Sequence, residues 1–191
     1  MKLSISVMAH SSRSDNFDYL RDKLNDPPFA IDQEGQEIGV WENAKRAWKL
    51  YDPEAEYHIV VQDDIIIGKN FLERAEKLMK HDVIYNFYMG KRPKFRREIE
   101  QAKAKNKRFI IKTNLHHECC FGMRTDRIDE MVEYCDSLNP KSDRVINKYI
   151  NKEKLMVFFT MPSLVSHREN ESLHSLNRGQ YPTGARWFIG Q

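Results

Sequence analysis

The sequence predicts an α/β layer architecture with a mostly parallel central sheet flanked by helices. Short β-branched runs alternate with amphipathic helical segments along the chain, the pattern of strands joined by helical crossovers. Several of these runs end on polar residues, as strands do when their carboxyl ends open onto a ligand crevice. The 191 residues, 40% hydrophobic and 31% charged, suit one domain with a real core, spanning 1–191.

The elements follow in order. Leu3 to Met8 reads as a buried first strand, with His10-Ser11-Ser12-Arg13 as the loop at its carboxyl end. Asn16 to Leu24 reads as a helix broken by Asn25-Asp26-Pro27-Pro28. Between Gly39 and Tyr51, Trp41, Ala44, Trp48 and Tyr51 recur at helical spacing before Pro53 closes the segment. His58 to Gln62 is a β-branched strand ending on Asp63-Asp64. Ile65 to Ile67 follows, and Asn70 then caps a helix that buries Phe71, Ala75, Leu78 and Met79. Further strands are expected over Val83 to Tyr88, Arg108 to Lys112, Glu118 to Met123 and Leu155 to Thr160. Helices are expected from Asp126 to Cys135 and from Ser142 to Ile150, each opened by a capping residue. Residues 161–191 read as an irregular tail that closes the active site.

Composition excludes several classes. The opening MKLSISVMAHSSR turns polar at His10, too early for a secretory apolar region of roughly 7–15 residues. No apolar run approaches the ~18 residues of a membrane span, so no membrane partner is expected. Cys119, Cys120 and Cys135 form an odd set without CxxC spacing, which argues against a disulfide framework or a structural zinc site. A reducing, cytoplasmic setting is expected, that of the host if the gene is phage-borne.

No GxGxxG follows the first strand and no GxxxxGK[ST] is present, so dinucleotide binding and P-loop phosphotransfer lack their motifs. Asp63 and Asp64 instead stand at a strand end between apolar runs, where two adjacent anions repel and are poorly solvated. A hard divalent cation, Mn²⁺ or Mg²⁺, would compensate them. A bare Asp-Asp pair also reads as a solvated turn, and the surrounding motif decides between the two.

That motif is a resemblance. Gly39-Val40-Trp41-Glu42-Asn43-Ala44, Ala47-Trp48, then His58-Ile59-Val60-Val61-Gln62-Asp63-Asp64-Ile65 and Phe71 resemble the GT-A glycosyltransferase pattern. There a helix with a G-x-x-x-N core precedes a strand ending in the "DXD" motif. Pro162-Ser163-Leu164-Val165-Ser166-His167, with Ser172-Leu173 beyond, resembles the family's closing segment, whose histidine completes the metal site. The two blocks together frame roughly two-thirds of the chain.

The resemblance implies a single GT-A-like, Rossmann-like domain binding a nucleoside-diphosphate sugar donor and Mn²⁺ or Mg²⁺. Gln62 stands at the first acidic position of a strict D-x-D. The expected metal ligands are therefore Asp64 and His167, with Asp63 on the metal through water or on the donor ribose. Ala9, His10, Ser12 and Arg13 fall where the family places the nucleotide, joined by Asn43 and Gln62. Asp143 lies where many inverting members carry the base, although an aspartate in a first helical turn is also ordinary capping chemistry. His174 is read as structural.

The remaining signal is charge. From Lys91 to Lys112, ten Lys/Arg residues face two glutamates, an excess of eight in a basic insertion of a chain whose net charge is +3. Such a run reads either as a solvated helix face or as a contact for a nucleic-acid backbone. Arg178, Tyr181, Arg186, Trp187 and Phe188 add basic-aromatic character to the tail. The expected acceptor-binding residues are Arg96, Arg97, Lys105, Lys107, His116, His117 and Trp187. The expected acceptor is a hydroxymethylated pyrimidine in DNA, as in the small glycosyltransferases that modify phage genomes. A cytoplasmic glycosyltransferase of surface-glycan biosynthesis and a non-catalytic basic nucleic-acid-binding protein are the alternatives. Sugar, nucleotide, stereochemical outcome and oligomeric state have no signature in the sequence.

Overall fold

The computed structural model describes residues 1–90, 95–168, 185 and 187–190. Its first strand, β1 (Leu3–His10), leads through a 3-10 turn at Ser11–Asn16 into helix α1 (Phe17–Leu24), strand β2 (Phe29–Asp32) and helix α2 (Val40–Trp48). Strand β3 (Tyr57–Gln62) and the short β4 (Ile65–Ile67) follow, then α3 (Phe71–Leu78), β5 (Ile84–Asn86), α4 (Arg96–Ala104), β6 (Phe109–Lys112) and β7 (Cys120–Arg124). The chain continues through α5 (Ile128–Ser137), a 3-10 turn at Asp143–Val145, α6 (Ile146–Lys152), β8 (Val157–Thr160) and β9 (Val165–His167).

Seven strands form one sheet in the order β2-β1-β3-β7-β5-β8-β6. β3 lies inside it, parallel to β1 and antiparallel to β7. Burial on both faces explains its nearly unbroken apolar run. Period-2 alternation divides its side chains. Ile59 and Val61 join a core with Phe17, Leu20, Phe71 and Ala75 of α1 and α3. Val60 joins the opposite core with Trp48, Ile99, Met131 and Ile150 of α2, α4, α5 and α6. Helices therefore cover both faces of the sheet, as the sequence predicts.

The sheet is mixed rather than mostly parallel. β2–β1, β1–β3 and β5–β8 pair parallel, whereas β3–β7, β7–β5 and β8–β6 pair antiparallel. The reason is that β6 and β7 are joined by residues 113–119, which hold no helix, and β7 threads between β3 and β5 against their direction. The predicted capping residues are also corrected: no side-chain cap bond is made at the starts of α5 or of the Asp143–Val145 turn, and Asn70 before α3 sits instead at φ 55.

Two features set up the site. β1 leads to β2 on one side and, after α2, to β3 on the other, so the carboxyl ends of β1 and β3 diverge at a topological switch point, where open α/β sheets bind ligands. Just beyond, β4 and β9 form a separate two-stranded ribbon with Ile65 opposite His167. Gly39 begins α2 at φ 94, a backbone angle that favours glycine, and so aims the helix at the same end of the sheet.

Candidate functional site

The structure brings most of the expected donor-side residues together at the switch point. Asp63 and Asp64 follow β3 and are buried, at 3% and 7% exposure. Each is held from several directions. Asp63 Oδ2 accepts from the His10 amide at 2.7 Å, and its Oδ1 accepts from Arg13 Nη1 at 2.8 Å. The same Arg13 nitrogen lies 2.9 Å from Asp64 Oδ2. His167 Nε2 reaches that Asp64 oxygen from the opposite side at 3.2 Å.

The position of His167 follows from strand register. Pairing Ile65 with His167 places the imidazole beside the residue preceding Ile65, and the Arg168 amide donates to the Asp64 carbonyl at 2.8 Å. His167 Nδ1 contacts the Arg168 carbonyl at 2.7 Å, and only a protonated nitrogen can bond there. Nε2 is thereby the nitrogen turned toward Asp64, as the orienting partner of a ligating histidine would leave it.

The two carboxyls are tuned in opposite directions. Burial pushes Asp63 up, more than the His10 amide and Arg13 pull it down. Burial also opposes the charge of Asp64, but the hydrogen bond and charge of His167, with Arg13, outweigh it and hold its carboxyl below the usual range. His167 is in turn raised, since Asp64 overcomes the burial that disfavours its charge. The site thus keeps Asp64 as a firm anion.

One acceptor is left over. Asp64 Oδ1 is buried with no hydrogen-bond partner, as are Asn16 Oδ1 and Asn43 Oδ1. Both asparagines use their amide nitrogen on a carbonyl of the crevice: Asn43 on Ala9 at 2.8 Å, and Asn16 on Asp63. Buried acceptors without donors suit a ligand or cation that supplies what the protein does not. The donor set fits a hard divalent cation, with a carboxylate oxygen at Asp64 and an oriented imidazole at His167. Among the described residues no three His, Cys, Asp or Glu side chains converge as a complete metal cage. A cation here would draw its other ligands from phosphate and water, as Mg²⁺ sites commonly do.

The other expected residues divide. Ser12 Oγ lies 2.8 Å from His10 Nδ1, which shapes the turn after β1. Gln62 Nε2 donates to Asp143 Oδ2 at 3.5 Å, so the candidate base does face the end of β3. His117 packs edge-on to Tyr88 with centroids 5.0 Å apart, and Tyr88 lies 6.4 Å from the His167 ring. Phe95, just before α4, is 5.0 Å from His116. A row of rings thus leads from Asp64 to the foot of α4. Arg96, Arg97, Lys105 and Lys107 are exposed on and after that helix, with Arg96 bonded to Glu100 at 2.8 Å. Trp187 is half-buried under Lys103, whose ammonium lies 5.9 Å from its ring centroid. Lys91, Arg92 and Lys94 of the basic run, and Ser172, Leu173, His174, Arg178, Tyr181 and Arg186 of the tail, lie outside the described residues.

Asn16, Tyr88 and Asp32 were not singled out from sequence. Asp32 ends β2 opposite His10 and accepts from the Ile38 amide at 3.0 Å. The alternating Phe29-Ala30-Ile31-Asp32 after two prolines was the available signal for that strand. Cys119 and Cys120 beside the site are buried, and burial drives both thiols well up, which makes them packing rather than nucleophiles.

No protein-family model matches this chain, and no curated protein matches it. Among solved structures it is similar to one described as the crystal structure of A197 from STIV, with a TM-score of 0.52 and 9% identity over 94% of this chain and 100% of that one. At that identity the likeness concerns the fold alone: an α/β chain with a mixed seven-stranded sheet between helices.

Proposed function

We propose that this chain is a GT-A glycosyltransferase that moves a sugar from a nucleoside-diphosphate donor to a hydroxyl acceptor. The observation that carries this reading is the Asp64 carboxylate, a buried anion at the switch point with Oδ1 unmatched and Oδ2 shared by Arg13 and His167. A diphosphate brought there with a divalent cation would satisfy all three groups. The donor nucleoside would lie against Ala9, His10, Ser12 and Asn43, with Asp63 toward its ribose and the diphosphate toward Arg13.

Asp64 and His167 would hold Mn²⁺ or Mg²⁺, which when bound supplies positive charge to the departing diphosphate. Asp143 would accept the proton of the attacking hydroxyl, oriented by the Gln62 amide. The acceptor we assign is a hydroxymethylated pyrimidine in DNA, whose backbone would follow the exposed Arg96, Arg97, Lys105 and Lys107 while His116, His117 and Trp187 meet the base.

The test is incubation with a panel of nucleotide sugars and Mn²⁺, reading released nucleoside diphosphate. Release from at least one donor, abolished by chelation, is expected. A protein inert toward every donor, with or without DNA, would not be a glycosyltransferase.

A further inference from the structure

We infer that Arg13 is a built-in counter-ion that occupies the cation's place between Asp63 and Asp64 until a diphosphate draws it away, so that divalent cation and donor bind as a coupled pair. The inference rests on the glycosyltransferase reading of the same crevice. Its physical basis is how Arg13 is held. A guanidinium paired with a carboxylate commonly engages it through two parallel N–H bonds. Arg13 instead places one nitrogen, Nη1, 2.8 Å from Asp63 Oδ1 and 2.9 Å from Asp64 Oδ2. One positively charged centre bridging two carboxylates is the coordination pattern of a cation.

Burial makes that bridge matter. The Arg13 side chain is 15% exposed and the two carboxylates 4% and 9%, so solvent screens the three charges little. Without Arg13 two neighbouring anions would be left in a poorly solvated site. A divalent cation entering alone must therefore displace a guanidinium that already neutralises its ligands, and the displaced charge must find a new partner. A diphosphate provides that partner, since its oxygens accept from guanidinium as well as carboxylates do. The backbone supports a side chain that changes partner: Arg13 sits at φ −115, ψ 24, where the 3-10 turn Ser11–Asn16 is kinked. Asp64 Oδ1, left without a partner, remains as the first point of attachment for the incoming metal.

Coupling of this kind is reciprocal: if diphosphate strengthens cation binding, the cation strengthens diphosphate binding by the same factor. Two measurements on the nucleotide-free protein test it, both read by electron paramagnetic resonance of Mn²⁺. Wild type should bind Mn²⁺ only weakly, and Arg13→Gln should bind it ~10-fold more tightly or better. Arg13→Lys, which keeps a positive charge, should stay near wild type. Thermal unfolding gives a second readout. Arg13→Gln should be less stable than wild type without metal and recover on adding Mn²⁺, whereas wild type should respond little. Micromolar Mn²⁺ binding by nucleotide-free wild type overturns the inference, and it needs no variant to fold. Equal or weaker Mn²⁺ binding by Arg13→Gln overturns it too. Release of nucleoside diphosphate by wild type is scored separately, so the counter-ion role can fail while the glycosyltransferase reading stands.

Discussion

The Gln62 amide donates to the Asp143 carboxylate at 3.5 Å, joining the end of the central strand β3 to a turn 81 residues further on. The contact accounts for an amide at a position where a strict D-x-D has an acid. A carboxylate at 62 would face Asp143 and repel it, whereas the amide orients it. If Asp143 is the base, Asp143→Asn should lower turnover by roughly 10²-fold or more with donor affinity nearly unchanged, because a general base acts in the transition state. Gln62→Glu should also slow turnover, through like-charge contact. Single-turnover kinetics alongside donor titration separates the two parameters, and an unchanged rate in Asp143→Asn reduces it to a helix-start residue.

Asp64→Asn and His167→Ala should each abolish metal-supported binding of a nucleoside diphosphate while the protein stays folded. Both side chains end in the crevice, His167 at the end of the β4–β9 ribbon rather than inside either apolar core. Asp64→Asn keeps the shape but removes the charge that Arg13 and His167 share. Calorimetry with and without Mn²⁺ reads the result. Metal-dependent affinity equal to wild type in both variants removes the proposed cation site.

A stability prediction concerns His58, which is fully buried on β3. Its ring nitrogens contact Ser4 Oγ at 2.9 Å, Ser6 Oγ at 3.1 Å and the Ala47 carbonyl at 3.2 Å. Burial dominates over these contacts and pushes its pKa from 6.5 down to about 4. The unfolded chain therefore takes up the proton first as pH falls. Stability attributable to His58 is complete above about pH 6.5, declines between there and pH 4, and levels off below. The loss by pH 4 is about 3 kcal/mol. Urea unfolding of wild type and His58→Gln across this range isolates the residue by difference. A variant that keeps the full wild-type slope contradicts the assignment.

These residues also show what the sequence could reveal. The β3 run and Asp63-Asp64 were legible because a β-branched segment buried on both faces has a composition of its own. Arg13 could be placed near the site, but not on the two carboxylates, since that contact depends on a kink at its own φ and ψ. β9 was hidden because three residues become a strand only through pairing with β4, nearly a hundred positions earlier. The direction of β7 was hidden for the same reason: whether a strand runs with or against its neighbours is a property of the whole sheet. In 91–112 the apolar Phe95, Ile99 and Ala102, buried under the charged residues, fix the helix, while the charge pattern drew attention to its outer face.

That outer face gives the prediction with most at stake, because it names the acceptor. Arg97, Lys105 and Lys107 are exposed, and Arg96 is paired only with Glu100 one turn away, an exposed contact worth about 0.3–0.5 kcal/mol that a phosphate can replace. Lys103 and Lys105 at the end of α4 also complement its dipole, which suffices to explain them as a solvated face. Salt dependence separates the two roles. If DNA lies along α4, the logarithm of its affinity should fall with the logarithm of salt by about 0.9 per duplex phosphate contacted. Replacing Arg96, Arg97, Lys105 and Lys107 with glutamine should flatten that slope. Donor affinity should not change, since none of the four contacts the Arg13–Asp64 crevice. The comparison that decides is sugar transfer to duplex DNA with and without hydroxymethylated pyrimidines, by wild type and by the quadruple variant. Transfer to the modified duplex alone, lost in the variant as salt rises, is the expected result. Wild type that labels neither duplex but labels an oligosaccharide or lipid-linked acceptor, with the variant equally active, overturns DNA as the acceptor. A neutral sugar gains little from a row of cations, so α4 would then be a solvated helix.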